Sequence, residues 1–302
     1  MTFIHKYSTI SQSNIFKKNI LDYYFNNPTN FDVIHPEYKK VILGINLRRM
    51  SAIVKMGLAN TLVCIPMQKV DAIVVGTGLG SIHHTELFLS SFTDSELSTL
   101  SPTPFINSVH NTISGEIALH TKNKGYNSTY SQGGLSFEGA LTDAILLAKE
   151  GRNVILGGVD ESTPILNDIM HKMDSQYKFT TGSTFFNLSS VEKDSSAEII
   201  NCIITKIQKL NSLINENFNP NEDFIISGSS FCNNSERTKY LDYSKLSGIY
   251  MSNSAFGMQL AVELLNSNIT HIENHNLPLN MKRIFIINYA SKNDVGVTIL
   301  RK

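Results

Sequence analysis

Apolar and polar positions along this chain alternate between runs fit for buried strands and stripes fit for helices. Residues 70–75 (VDAIVV) form a nearly continuous apolar run that stops at Gly76-Thr-Gly-Leu-Gly80, the pattern of a buried strand entering a glycine turn. Ahead of it, residues 47–62 (LRRMSAIVKMGLANTL) carry apolar side chains at helical spacing; 111–119 reads as a helix and 86–92 as a shorter one. Residues 125–161 predict a short strand, a tight turn at Ser131–Gly134, a helix to about Glu150 and a second buried strand ending at Gly157–Glu161. A strand is expected at 183–189, and the β-branched run 197–210 predicts a strand that continues into a helix. The Asn-rich stretch 211–223, with its one proline, reads as the connector between two halves of one domain, 1–210 and 211–302.

The halves share a plan. In the first, the strand at 71–75 ends in a glycine turn; later a small-residue turn opens the helix at 134–149, which leads to the buried strand at 153–159. In the second, a strand at 223–227 ends in Gly228-Ser-Ser; later the turn 248–254 opens a helix at 255–265, which leads to a strand at 283–289. Strands alternating with helices imply α/β layers, and the repetition implies an internal pseudo-twofold. Such a duplication brings two helix N-termini together at the centre of the domain, a place suited to an oxyanion.

Composition narrows the field. With 41% hydrophobic and 17% charged residues over 302 positions, the chain is an ordinary globular protein with ample core. Net charge is zero, so no nucleic-acid surface is advertised; the cluster Lys39, Lys40, Arg48, Arg49 and Lys55 reads as a solvated helix face or as a docking patch for an acidic carrier protein. No apolar run approaches the ~20 residues of a membrane span. Three widely spaced cysteines, Cys64, Cys202 and Cys232, fit a reducing cytoplasm rather than a disulfide framework. His83 and His84 are adjacent and point apart, which is wrong for a metal pair, and no cofactor or metal site is expected. The G-x-G-x-G spacing of Gly76–Gly80 is not the dinucleotide fingerprint and reads as a structural turn.

The segment TYSQGGLSFEGAL (129–141) resembles the T-A-C-S-S-G-L-x-x-x-G-E-A segment of the β-ketoacyl synthases, which have the thiolase fold. On that alignment Ser131 stands at the family's cysteine, Gly134 at the turn glycine and Gly139 at the helix-packing glycine. LRRMSAIVKMG, VDAIVVGTGLGS, VILGGVDE and STFFNLSSVEKDSSAEI are similar to further family segments, so the likeness covers most of the chain. FINSVHNTISGEIAL (105–119) resembles a phrase of the divergent branch related to chain-length factors and to synthase-like proteins of aryl-polyene and flexirubin-type pigment pathways. The resemblance implies a thiolase-like layered αβαβα fold with two pseudo-repeated halves, the second abbreviated.

The departures bear on chemistry. Ketosynthases use Cys-His-His; here the first histidine position falls on Ser227 and the second on Ile249, with Lys245 near the family's lysine. The closing glycine-rich loop is replaced by the stretch from Asn288 to Asp294. A helix N-terminus stabilises an anion by roughly 0.3–1 kcal/mol, up to ~2 when partly buried. That helps a thiol with a reference pKa of ~8.5 become a thiolate. A serine hydroxyl needs a positioned base instead. His110 and His120 precede the turn in sequence; His110 reads as a core or capping histidine, though either could approach Ser131. Gln132 sits one residue after the cysteine position that glutamine takes in chain-length factors, where its amide donates to a carbonyl or carboxylate.

The resemblance therefore implies a member of the acyltransferase class without independent condensing activity: a chain-length-factor-like subunit that pairs with an active ketosynthase. Two alternatives stand beside it, a malonyl-carrier decarboxylase or acyltransferase using Ser131 or Gln132, and an acyl-carrier-protein-binding scaffold.

Overall fold

The computed structural model describes residues 1–12, 16–21, 32–44, 47–66, 69–92, 102–172, 178–229 and 239–302. Its strands are β1 (Phe3–Ile10), β2 (Ala72–Gly76), β3 (Tyr126–Tyr130), β4 (Val154–Asp160), β5 (Gly182–Ser189), β6 (Ala197–Lys206), β7 (Asp223–Ser229), β8 (Leu241–Asp242), the small hairpin β9 (His271–Ile272) and β10 (His275–Asn276), β11 (Arg283–Tyr289) and β12 (Asp294–Arg301). The helices are α1 (Tyr38–Val41), α2 (Ala52–Cys64), α3 (Ile82–Ser90), α4 (Pro102–Ser108), α5 (Thr112–His120), α6 (Ser136–Lys149), α7 (Pro164–Lys172), α8 (Leu210–Asn217), α9 (Ser244–Ser247) and α10 (Ser254–Asn266).

The sheet order β3-β2-β4-β5-β1-β6-β12-β11-β7-β8 contains the same five-strand pattern twice. Each half has a first strand antiparallel to its fifth, a fifth antiparallel to its fourth, and a second strand parallel to its third and fourth. The halves join edge to edge through a short antiparallel ladder, Phe3↔Glu198 and Ile4↔Ala197. Sheet order thus places β6 with the second half, which begins at Ala197, ahead of the division at 210/211 expected from the Asn-rich stretch. All five strands of the plan are present in that half, with β8 reduced to two residues.

Alternation along the strands sorts the layers. Ile73, Val75, Ile155 and Phe185 face α2 and α5 in one apolar cluster with Ile53, Val54, Ile113 and Ile117. Their neighbours Ala72, Val74, Leu156 and Phe186 face the opposite way, onto Phe137, Ala140 and Ala144 of α6. In the second half Ile225, Phe285 and Ile287 face Leu210 and Ile214 of α8, whereas Phe224, Ile226, Ile284 and Ile286 join α6 and α10 in the shared inner cluster. The result is five layers, with α6 and α10 sandwiched at the middle. Gly158 lets them meet: a Cβ there would lie 2.8 Å from Ala255 Cβ and 3.1 Å from the Phe137 ring.

Several expected elements shift. The stretch 211–223 holds α8 up to Asn217, because Leu210 and Ile214 sit one turn apart on the face that packs on the sheet and the asparagines occupy the other. Helix α3 begins at Ile82, four residues before the expected start. Strands β1 and β12, which the pattern did not single out, lie inside the sheet on either side of β6.

Candidate functional site

The turn after β3 is built by local hydrogen bonds. Gly133 takes a left-handed φ of +56°, and residues Gly133–Leu135 form a single 3-10 turn that runs into α6. Ser136 locks it: its Oγ donates to Gly133 O at 2.7 Å and accepts from Gln132 N at 2.8 Å. Ser131, exposed at the end of β3, donates its hydroxyl to the backbone carbonyl of Gly78 at 3.3 Å. Among the described residues no imidazole or thiol hydrogen-bonds that hydroxyl. Gln132 is exposed too, and its side-chain carbonyl turns back on α6, 2.6 Å from where a Cβ on Gly139 would stand.

Gly78 belongs to the glycine turn after β2, and a buried carboxylate holds that turn. Asp160 Oδ1 accepts from Thr77 Oγ1 at 3.1 Å, Gly78 N at 2.7 Å and Leu79 N at 3.2 Å. Its Oδ2 accepts from the backbone N and the Oγ of Ser252, at 2.8 and 2.7 Å. One side chain thus ties the glycine turn of the first half to the small-residue turn of the second. Because Asp160 consumes the Gly78 and Leu79 N–H groups, the glycine turn has none of these left to stabilise an oxyanion. Burial pushes the Asp160 carboxyl up, and the hydrogen bonds from Ser252, Leu79 and Gly78 oppose that shift. Met251 seals the junction from above, its Cβ and Cγ each 2.3 Å from the position of a Cβ on Gly78.

A cavity of about 300 Å³ opens beside this turn, lined by Gln132, Gly133, Gly134, Leu135, Met251, Ala290, Ser291 and Asp294. The stretch from Asn288 to Asp294, expected as the counterpart of the family's closing loop, is the end of β11, a turn and the start of β12. It does face the site. Asn288 Nδ2 donates to Gly134 O at 2.8 Å and to Glu138 Oε1 at 2.9 Å. Glu138 lies in the first turn of α6 with 1% of its surface exposed, and burial pushes its carboxyl up to about 7, against the hydrogen bond from Asn288. The Ser254 hydroxyl stands near enough to favour the charged form, yet Glu138 Oε2 and Ser254 Oγ each lack a hydrogen bond of acceptable geometry.

The other candidate residues lie apart. Ser227 is buried within β7, in register with Ile287, its carbonyl accepting from Tyr243 N at 2.9 Å. Ile249 is buried on an isolated bridge to Phe179, five residues before α10. Lys245 in α9 reaches Glu273 at 3.5 Å. His110 packs on the glycine turn: its ring atoms stand 3.0–3.3 Å from a Cβ position on Gly80, where φ is +60°. It therefore shares that turn with Ser131 without bonding to it. His120 closes α5 beside Glu116, 3.2 Å away but too oblique for a hydrogen bond.

Of the cysteines, Cys64 is buried in α2 with its thiol donating to Phe185 O, and burial pushes its pKa up. Cys202 is pushed up to about 12 by burial and by the nearby Glu138. Neither is a primed nucleophile. Cys232 lies outside the described residues.

The basic cluster edges a second cavity of about 780 Å³, lined by Glu37, Tyr38, Lys39, Ile42, Leu43, Gly44, Leu47, Arg48 and Lys55. Lys40 pairs with Glu37 at 2.9 Å, and the Arg49 side chain lies outside the described residues. Among the described residues no group of His, Cys, Asp or Glu is arranged to hold a metal ion, and no helix is long and apolar enough to cross a membrane.

Asp160, Glu138 and Met251 were missed in the sequence, and Asn288 was read only as the start of the replaced closing loop. Only Glu138 left a usable signal, a carboxylate on the apolar stripe of the helix it occupies.

The comparisons agree with this geometry. The sequence pattern described as beta-ketoacyl synthase, N-terminal domain, matches residues 34–186, about half of the 302. No curated protein matches the chain. Among solved structures, the ishigamide ketosynthase/chain length factor superposes with a TM-score of 0.78 at 13% identity, over 99% of each chain. A type II polyketide synthase acyl-carrier protein in complex with its ketosynthase bound to the hexaketide gives 0.77 at 14%, again over 99% of each chain. The ketosynthase in complex with its chain length factor from Xenorhabdus doucetiae gives 0.62 at 14%, over 100% of both. At such identities the likeness establishes the fold, the thiolase-like αβαβα layering. The family pattern covers half the sequence and runs through the turn that carries Ser131, and on that ground the chain belongs to the beta-ketoacyl synthase family.

Proposed function

We propose that this chain is a non-condensing, chain-length-factor-like subunit that pairs with an active ketosynthase during assembly of a polyketide or fatty-acid-type chain, in an aryl-polyene or flexirubin-type pigment pathway. The observation that carries the reading is the bonding of Ser131: its hydroxyl donates to the Gly78 carbonyl and, among the described residues, hydrogen-bonds to no base that could take its proton. Ser227 and Ile249, buried in strand and bridge, add no imidazole. The partner would supply the nucleophile.

A surface for that partner supports the reading. Strand β3 is an edge of the sheet. Tyr126 N–H and the Tyr130 carbonyl bond inward, to Asp71 O and Thr77 N, so alternation turns the backbone groups of Asn127 and Thr129 outward. Near this edge α3, α4 and α5 expose Leu89, Phe105, Ile106 and Leu119, and the turn after α3 exposes Phe92. Co-expression with candidate ketosynthases followed by intact-complex mass measurement tests the proposal: a one-to-one complex is expected, and recovery as a lone monomer with every candidate would overturn it.

The basic-edged cavity of about 780 Å³ favours a second reading, a scaffold that binds acyl-carrier protein. That reading expects carrier binding in the absence of any ketosynthase. A catalytic alternative, decarboxylation or acyl transfer through Ser131 or Gln132, expects turnover of a malonyl-loaded carrier that Ser131→Ala or Gln132→Ala abolishes.

A further inference from the structure

The cavity of about 780 Å³ shares no lining residue with the pocket beside Ser131. Its size falls within the range of small-molecule sites, roughly 300–1,000 Å³. Three elements wall it: α1, the 3-10 turn Leu47–Arg49 and the first turn of α2. Local hydrogen bonds hold these walls in place. Ile42 N donates to the Tyr38 carbonyl at 2.7 Å, which closes α1, and Met50 N donates to Leu47 O at 3.3 Å, which closes the turn. Ser51 caps α2 by accepting from Val54 N at 3.3 Å. The Tyr38 hydroxyl lies 2.7 Å from His35 Nδ1, so the ring that lines the cavity is held at its far end.

The walls are apolar and the rim is cationic. Ile42 is buried in one cluster with Ile53 and Val54, and Tyr38 and Leu47 pack against that cluster while lining the cavity. Leu43, 74% exposed, lines it from the solvent side. Gly44, at a φ of +74°, has open space where a side chain would stand, so the turn leaves the cavity clear. Lys39 comes from α1 and Lys55 from α2, and among the described residues neither has an ion-pair partner. Arg48 adds a third cation to the lining. The carboxylate that lines the cavity, Glu37, is already matched by Lys40 at 2.9 Å. The charge of Lys55 is felt across the wall: burial lowers the His35 pKa, and Lys55 lowers it further. Cations without counter-charge favour an anion, and the apolar walls between them favour a hydrocarbon.

We propose that this cavity binds a free long-chain fatty carboxylate, its chain against Tyr38, Ile42, Leu43 and Leu47 and its head between Lys39 and Lys55. The carboxylate gains charge-assisted hydrogen bonds from the two ammonium groups, and the chain leaves water. No covalent bond is made or broken. The inference rests neither on the pairing reading nor on the carrier reading, since the isolated chain carries every residue involved. An acidic carrier protein would answer the same charges from outside; a hydrocarbon also fills the space between the apolar walls.

Isothermal titration of the full-length chain with dodecanoate, kept below its micelle concentration, tests the assignment. One-to-one binding is expected, at least about tenfold tighter than that of dodecanol, which has the chain without the charge. Lys39→Gln combined with Lys55→Gln should weaken dodecanoate at least about tenfold and leave dodecanol unchanged. Leu43→Glu alters an exposed side chain and sets a carboxylate where the ligand lies. It should cost dodecanoate at least about tenfold at an unchanged melting temperature. Absence of dodecanoate binding would overturn the proposal, as would dodecanol binding of equal strength or dodecanoate binding that survives both sets of substitutions. A cavity that refuses dodecanoate and accepts an acidic carrier protein belongs to the carrier, and that result overturns it too.

Discussion

Two buried carboxylates, Glu138 and Asp160, set the behaviour of this protein at the level of single residues. For Glu138 the folded-state pKa of about 7 exceeds the ordinary carboxylate value of 4.5. Its contribution is therefore fully present below pH 4.5 and is lost as pH rises toward 7. At 1.36 kcal/mol per unit, the loss above that window is about 3 kcal/mol. Glu138→Gln should accordingly gain about 2–3 kcal/mol of stability relative to wild type between pH 5 and pH 8, since part of the loss already falls below pH 5, read from urea midpoints at the two values. Asp160 is tied down by five donors, two of them from the second half of the chain. Asp160→Asn exchanges one acceptor oxygen for an amide that faces donors. We expect a loss of about 2–4 kcal/mol by the same measurement, with the breaking of a buried hydrogen-bond network as the cause.

At the level of elements, the glycine turn after β2 and the small-residue turn before α10 are packed as one unit. Met251 lies so close to Gly78 that Gly78→Ala places a methyl group in its path. Overpacking of this kind costs about 1–3 kcal/mol. Met251→Ala makes room, so the double variant should recover part of that loss, with a coupling of about 1 kcal/mol or more in a double-mutant cycle; strict additivity would show that the two turns are not in contact. The unit also explains which elements could be read in advance. Strand β2 is a continuous apolar run ended by glycines, and the helix after Ser131 is an apolar stripe opened by Gly133 and Gly134; both stand where the sequence places them. Strand β1 was not singled out because its middle, His5 to Tyr7, is polar and only partly buried, and the ladder to β5 bulges between Ile4 and Lys6. Helix α8 was read as a connector because asparagines cover its outer face, and two buried side chains hold it to the sheet.

At the scale of the whole molecule, duplication supplies the architecture and the sheet edge supplies the outlet. Among the described residues no strand pairs with the outer edge of β3, which lies beside exposed apolar side chains, an arrangement that proteins in water ordinarily cover or charge. Ile106, 59% exposed on α4, is placed to report on that surface. Ile106→Lys should leave the melting temperature of the isolated chain unchanged, since it removes no buried contact. It should weaken association with a ketosynthase partner at least about tenfold, equivalent to about 1.4 kcal/mol, in a titration monitored by intact-complex mass. Unaltered association would move the interface elsewhere on the molecule.

By itself the sequence determined the layered α/β class and the repeat of the plan, because periodicity is a local property; Ser131 at the family's cysteine position is what the resemblance implies. Tertiary structure alone decided what that serine touches. Gly78, Asp160, Met251, Asn288 and Glu138 come from five separate stretches and meet only when the two halves close on each other. Hydrogen bonds across such separations leave no trace in spacing, since the distance that matters is set by packing rather than by position along the chain.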